Sequence, residues 1–343
     1  MTARTVVAEA LSWGDGVLDG AVDAAVEILR RAGSVLVVGH ERPDGDAIGS
    51  TLGAAAVARA LGCSVTTFNV DAVPSNLQFL PGADAIVHNI DGKHFDVTVM
   101  VDCGERHRLG ERFPANGWAE TVICLDHHKS FDPVVANVIC RDPAAPATAE
   151  IVYRLMTASG VPLEPGAATA LFCALLTDTG SFRYGATTAH AMELGERLLR
   201  TGIDVWQISS EVYESNSVER VRLTARALDS LALHCGDRLA MLTLCEADFA
   251  SSGASSDHAD GLINFARGIA GVQVAAQLTE DGGGFRISLR SRGHVDVSLI
   301  GERFGGGGHK NAAGCRIDGD GAMVSALLSA AVSEVLDGET AEA

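Results

Sequence analysis

Three short apolar runs, each ending on acidic or imidazole side chains, constrain this chain more than any other feature. SVLVVG at 34–39 runs into His40, VTVMV at 97–101 into Asp102, and TVICL at 121–125 into Asp126-His127-His128. Runs of this length, rich in β-branched residues and unbroken by charge, read as strands buried on both faces, the pattern of a parallel sheet. Helical stretches separate them. GAVDAAVEILRRA at 20–32 carries an apolar stripe, and AIGSTLGAAAVARALG is Ala-rich and stops at Gly62. SVTTFNV at 64–70 reads as a further strand, and 148–159 and 165–176 read as helices. Strand–helix alternation of this kind predicts a doubly wound parallel sheet. Ligands bind such sheets at the carboxyl ends of the strands, so clusters distant in sequence are expected to meet there.

From 188 to 232 the chain reads as helical throughout, a connecting segment, and from about 237 its character changes. RLAMLTLCEADF and VQVAAQLTEDGGGFRISLRS are strand-like, with a Gly-rich hairpin at Asp281–Gly284. DVSLIGERF reads as a helix, GGGGHKNAAG as a glycine loop, and 321–336 as a closing helix. The expected organisation is an α/β domain at 20–195, a helical connector at 196–233 and a smaller α/β domain at 234–336. The final DGETAEA is expected to fray.

The chain has 343 residues and a formal net charge of −18. Proteins that grip long nucleic acids draw affinity from neutralising phosphates, and this chain lacks the basic footprint. Any phosphate-bearing substrate is therefore expected to be small or short. None of the eight cysteines forms a C-x-x-C pair, which disfavours a thiolate zinc site and suits reduced, buried thiols. The first twenty residues do not read as a signal peptide, and no apolar run nears the ~20 residues of a membrane span. The expected location is the cytoplasm, without membrane attachment.

The polar clusters carry the chemistry. His40-Glu-Arg-Pro-Asp44-Gly-Asp46 places an imidazole and two carboxylates in one strand-end loop, where Pro43 and Gly45 favour a tight turn. Carboxylates two apart in an extended loop can point to different metals, and O and N ligands suit Mn, Mg, Fe or Zn. The plainer alternative is an acidic surface turn in which Asp46 caps the following helix. Asp102 follows five apolar residues, so its burial demands a partner. Asp126 is placed to orient an imidazole of His127-His128. Asp178, between an apolar helix and Thr179-Gly180, reads alone as a turn aspartate. Taken together, these groups suggest two metals sharing a carboxylate, an arrangement that hydrolyses phosphate esters through a metal-bound hydroxide. Between Gly282 and Arg316 the charge balance reverses locally, with six basic residues (Arg286, Arg290, Arg292, Arg303, Lys310, Arg316) against Asp296 and Glu302. Arg290 and Arg292 alternate on an expected strand and would share a face. Gly305–Gly308 before His309 suggests backbone N–H groups open to an anion, a flexible linker being the alternative.

The order H-x-x-P-D-x-D, a lone D, D-H-H and a further D resembles the DHH phosphoesterase superfamily, and GGGGHKNAAG resembles its DHHA1 domain. The likeness covers about residues 30–335 and is nearest the NrnA-type bifunctional oligoribonucleases/pAp phosphatases. The resemblance implies one metal on His40, Asp44 and Asp102, and a second on Asp46, Asp102, His127 and Asp178, with Asp102 shared. Mn²⁺ is the implied ion, with Mg²⁺ or Co²⁺ as substitutes. Asp102 and His128 are the implied catalytic residues, His128 lying beside the scissile phosphate. Ser288, Arg290, Gly306, Gly307, Gly308 and His309 would hold the terminal nucleotide, the resemblance implying that 20–195 is the catalytic domain and that the active site lies in the cleft between the two domains. The implied activity is hydrolysis of RNA oligomers of two to five nucleotides to mononucleotides, together with dephosphorylation of pAp. A cyclic or linear dinucleotide phosphodiesterase (c-di-AMP, pApA) is the alternative enzyme, and a non-catalytic nucleotide sensor the alternative of another class. Partners are then short RNA or small nucleotides, not long nucleic acid. Relatives often form homodimers, although the sequence shows no interface.

Overall fold

The computed structural model describes residues 6–7, 16–132 and 136–340. Most of the N-terminal stretch on which the absence of a leader was read, and the last three residues of the tail expected to fray, lie outside them. The chain divides into two compact units, one up to Ser215 and one from Asn216.

In the first unit α1 (Gly16–Leu29) leads to β1 (Ser34–Gly39), α2 (Gly45–Ala60) and β2 (Ser64–Phe68). A long irregular segment then reaches β3 (Val97–Val101), β4 (Thr121–Asp126) and β5 (Val138–Arg141). Helices α3 (Thr148–Ser159), α4 (Pro165–Asp178), α5 (Ala189–Leu199) and α6 (Val205–Tyr213) complete it. These five strands form one parallel sheet in the order β2-β1-β3-β4-β5, while Val6–Val7 and Pro162–Leu163 make a separate antiparallel pair. The order reverses between β1 and β3, which makes their carboxyl ends the switch point where α/β sheets bind ligands. Strand alternation sorts the core. Val35, Val37, Val99, Val101, Ile123 and Leu125 pack with α1–α4, whereas Leu36, Val38, Met100, Val122 and Cys124 face Phe68, Leu109, Phe113 and Trp118 on the other side. Four consecutive fully buried residues, Val35–Val38, each contribute about 1.5–3 kcal/mol of burial. β5 has no counterpart in the strands read from the sequence. Its four residues, VICR, are too short to show a period, and pairing with β4 imposes their conformation.

The second unit opens with α7 (Val218–Asp229), then β6 (Ala232–His234), β7 (Leu239–Leu244), α8 (Glu246–Ser252) and α9 (Ile263–Arg267). β8 (Val274–Asp281) and β9 (Gly284–Ser291) follow, then α10 (Ser298–Arg303), β10 (Gly307–His309), β11 (Ala312–Asp318) and α11 (Gly321–Thr340). The sheet order is β10-β11-β9-β8-β7-β6, with only β7 and β8 parallel. The expected hairpin is present, with Gly282 and Gly283 at positive φ between Asp281 and its partner Gly284. The stretch read as one long connector, 188–232, contains three helices that fall on both sides of the unit division. Its last residues are not helical, because Ala232–His234 form an edge strand on β7.

The glycine run is also not simply a loop. Gly307–His309 pair antiparallel with Ala312–Gly314. A Cβ at Gly306 would lie 2.1 Å from the Gly314 carbonyl oxygen, and one at Gly308 2.4 Å from that of Ala312. Glycine here permits backbone to lie against backbone. Among the described residues no helix is long and apolar enough to cross a membrane. All eight cysteines are free, six of them buried.

Candidate metal centre

The ends of β1, β3 and β4 bring His40, Asp102 and the Asp126–His128 loop to one edge of the sheet. α2 and α4 add their termini. Asp44 is the N-cap of α2, accepting the N–H groups of Asp46 (3.1 Å) and Ala47 (3.0 Å). The cap is therefore Asp44, not Asp46 as the plainer sequence alternative had it. Asp46 lies buried in the first turn, and Asp178 is the last residue of α4.

Glycine sets the distance between those two helices. Gly45, Gly49 and Gly53 follow one another at four-residue spacing along α2 and face α4 and its neighbours. A Cβ at Gly45 would meet Thr177 Oγ1 at 2.4 Å, and one at Gly49 the Ala170 carbonyl oxygen at 2.3 Å. Only glycine allows the approach that delivers Asp46 to Asp178.

The resulting cluster consists of three overlapping triads: His40, Asp44 and Asp102; Asp46, His127 and Asp178; and Asp102, His127 and His128. Within each, one potential ligand atom per residue lies within 4.8 Å of the others. His40 Nε2 stands 3.4 Å from Asp102 Oδ2 and 3.9 Å from Asp44 Oδ1. His127 Nε2 stands 3.2 Å from Asp178 Oδ2, 3.7 Å from Asp102 Oδ1 and 3.8 Å from Asp46 Oδ2.

The donor chemistry fits divalent cations. All ligand atoms are carboxylate oxygen or imidazole nitrogen. His40 Nδ1 lies 2.7 Å from the Glu41 carbonyl and His127 Nδ1 3.1 Å from that of Ala145. Donation from each Nδ1–H leaves Nε2 as the ligand atom of both rings. His128 differs, since its Nδ1 faces Asp126 Oδ1 at 2.8 Å. Asp126 is fully buried, and the absence of a side chain at Gly104 makes room for it, because a Cβ there would meet Asp126 Oδ2 at 2.5 Å.

Electrostatics shows what crowding does without a cation. Burial and the neighbouring Asp102 push Asp46 up to about 7, and burial and Asp46 push Asp178 up to about 8. Burial opposes charge on His40, but its hydrogen bond to Asp102 prevails and raises it to about 9. His127 also reaches about 9, because the nearby carboxylates outweigh its burial. Asp102 is held well below the usual carboxylate range by the surrounding histidines, despite its burial.

Some groups that order the cluster escape a reading of the sequence. Thr148 Oγ1 donates to Asp102 Oδ1 (2.9 Å), and Ser50 Oγ to Asp46 Oδ1 (2.7 Å). The visible signals were a threonine opening the helix expected at 148 and the G-x-x-x-G-x-x-x-G spacing of α2.

In the second unit Arg286, Ser288 and Arg290 alternate along β9, opposite the buried Phe285, Ile287 and Leu289. Arg292 lies beyond the strand, which ends at Ser291, so the expected Arg290–Arg292 face is instead one of Arg286, Ser288 and Arg290. Among the basic residues of this segment, Arg303 pairs with Glu334, and Arg316 with Asp281 and Asp318. The Gly306 N–H donates to the Gly301 carbonyl at 2.9 Å. Gly307, Gly308 and His309 occupy the edge strand β10.

A parallel sheet that gathers aspartates and histidines at its switch point, followed by a mixed-sheet unit, defines an α/β protein with a candidate metal centre. Residues 34–175 match the DHH family, N-terminal domain, and residues 237–337 match the DHHA1 domain; the chain belongs to the DHH family. Over 85% of this chain and 87% of the relative it is 32% identical to the bifunctional oligoribonuclease and PAP phosphatase NrnA of Thermus thermophilus. It is 26% identical to the cyclic-di-AMP phosphodiesterase GdpP of Geobacillus thermodenitrificans, over 85% of this chain but 46% of that protein. A crystal structure of an exopolyphosphatase-related protein from Bacteroides fragilis superposes with a TM-score of 0.85 at 25% identity, covering 92% of this chain and 96% of that one.

Proposed function

We propose that this chain is a metal-dependent phosphoesterase that hydrolyses RNA oligomers of two to five nucleotides to mononucleotides and dephosphorylates pAp. The observation that carries the reading is the set of three overlapping triads, joined through Asp102, which two of them share, and His127, which two of them share. The likeness to an oligoribonuclease and PAP phosphatase along nearly the whole of both chains supports the substrate class. His40, Asp44 and Asp102 would hold one divalent ion, and Asp46, Asp102, His127 and Asp178 another, with Mn²⁺ the ion we assign. When bound, such ions neutralise phosphate oxygens and lower the pKa of a water.

The chain's own residues supply the rest. Asp126 fixes the His128 ring through Nδ1, so Nε2 is the atom from which a proton would pass to the leaving oxygen. Arg290 and Ser288, on one face of β9, would bind the terminal phosphate and sugar together with His309 and the adjacent glycines. The net charge of −18 disfavours long strands.

The test is a substrate panel of pApA, pAp, two- to ten-nucleotide RNA, c-di-AMP and pyrophosphate, incubated with Mn²⁺ and either wild-type protein or Asp102→Asn. The expected result is mononucleotide release from pApA and the shortest RNAs, lost in the variant. Intact pApA alongside cleavage of c-di-AMP or another phosphoester would overturn the substrate assignment.

A further inference from the structure

The segment Asp142–Ala149, which follows β5 and runs into the first turn of α3, contributes no ligand to the triads yet contacts three residues that do. The Ala145 carbonyl lies 3.1 Å from His127 Nδ1. Thr148 N–H donates to Asp46 Oδ2 (2.6 Å) and Ala149 N–H to Asp46 Oδ1 (3.2 Å). Thr148 Oγ1 donates to Asp102 Oδ1 (2.9 Å). Ala147, the N-cap of α3, has no side chain for capping, and Asp46, about a hundred residues earlier, takes that place. The orphan donors that begin a helix are thus satisfied by a carboxylate of the cluster.

The far end of the segment is fastened independently. Asp142 N–H donates to the Asp126 carbonyl (3.2 Å), and Asp142 Oδ1 accepts from Ala144 N–H (2.9 Å). Arg154, on the second turn of α3, reaches Glu150 Oε1 at 2.9 Å and Asp142 Oδ2 at 3.6 Å. Thr148 and Ala149 are fully buried and Glu150 nearly so.

We propose that Asp142–Ala149 is a positioning element that orients His127, Asp46 and the shared Asp102 together, with Thr148 as its pivotal residue. The proposal rests on the metal-centre reading. A carboxylate held by fixed donors binds a cation without first losing rotational freedom, and loss of such partners lowers metal affinity about 10- to 100-fold.

The experiment is Mn²⁺ binding to the full chain without substrate, read as the electron paramagnetic resonance signal of the free ion. Thr148→Val keeps the volume and the N–H but removes the hydroxyl, so its affinity should fall about 10- to 100-fold, and Thr148→Ser should restore it. Wild-type affinity in Thr148→Val, or equal loss in Thr148→Ser, overturns the proposal. So does a drop in melting temperature with Mn²⁺ binding intact, the signature of a purely structural role. Should Thr148→Val fail to fold, Asp142→Ala at the partly exposed turn carries the same test: weakened binding supports the proposal and wild-type binding overturns it. If the wild-type protein binds no Mn²⁺, the metal-centre reading itself fails, which separates the two failures.

Discussion

Gly49→Ala is the smallest change that should disturb the site without touching it. In an ordinary helix interior the substitution stabilises by about 0.5–1 kcal/mol, because alanine loses less backbone entropy than glycine. Here the new Cβ would lie 2.3 Å from the Ala170 carbonyl oxygen and 2.9 Å from Ala174 Cβ, against 3.4 Å or more for ordinary contact. The shortfall against the carbonyl is about 1 Å, and neither neighbour is a flexible side-chain end, so α2 and α4 must separate. Overpacking of this kind costs about 1–3 kcal/mol, leaving after the entropic gain a net loss of up to about 2.5 kcal/mol. The same movement shifts Asp46 relative to Asp178, and a 1 Å misplacement near a reacting centre can cost about 100-fold in rate. Chemical denaturation and pApA turnover measure the two effects. Gly20→Ala in α1, where a Cβ meets nothing within 4 Å, is the control and should be neutral or stabilising. If Gly49→Ala behaves like Gly20→Ala in both assays, the glycine stripe does not set the geometry of the site.

Two further expectations concern charge. In the metal-free protein Asp46, Asp178, His40 and His127 bind protons with pKa values of about 7, 8, 9 and 9, all above their ordinary values; the metal-free fold therefore loses stability as pH rises from the ordinary carboxylate range, about 4, to about 9, while Mn²⁺ affinity, which requires deprotonated ligands, rises up to about pH 9. Calorimetry in buffers of different ionisation enthalpy should show protons released on binding, and affinity independent of pH would refute this. Arg290→Ala should raise the KM for pApA about 10- to 100-fold through loss of a charge-assisted contact, whereas Arg316→Ala, whose guanidinium already pairs with Asp281 and Asp318, should leave it near wild type.

The legible part of the molecule is the part in which a local pattern and a tertiary role coincide. β1, β3 and β4 are buried on both faces and announce themselves as apolar runs, and the residues that follow them converge on one edge of the sheet. Asp178 reads alone as a turn aspartate and gains a role only beside the other clusters and through the family resemblance, because a turn aspartate after a helix has no local signature. Thr148 reaches Asp102 across 46 residues and Asp46 across 102, and no spacing within a segment reports such a pairing. β5 and β6 are short and take their conformation from the strands beside them. The glycine run was ambiguous for a different reason: glycine marks loops and close backbone approach alike, and only the partner strand Ala312–Asp318 decides between them.

The shared aspartate shows why the choice of substitution matters. Val101 ends β3 facing the helical core, and Asp102 then adopts φ 56°, leaving the strand conformation at once. Side chains with a Cβ lose roughly 1–2 kcal/mol in this left-handed region, but aspartate and asparagine tolerate it through local polar contacts. The Asp102 N–H donates to the Leu125 carbonyl at 2.9 Å, which ties the turn to the neighbouring strand. Asp102→Asn therefore changes the charge and leaves the backbone at ease, while Asp102→Ala changes both. Mn²⁺ binding should be impaired in the two variants alike. Stability should not be: the alanine variant is expected to be less stable than the asparagine variant by about 1 kcal/mol, to which its lost hydrogen bond with Thr148 adds. Differential scanning calorimetry of the metal-free variants in EDTA reads the difference. Equal melting temperatures would mean that the turn at Asp102 stores no strain, and that the carboxylate reaches its place by the packing of β3 alone.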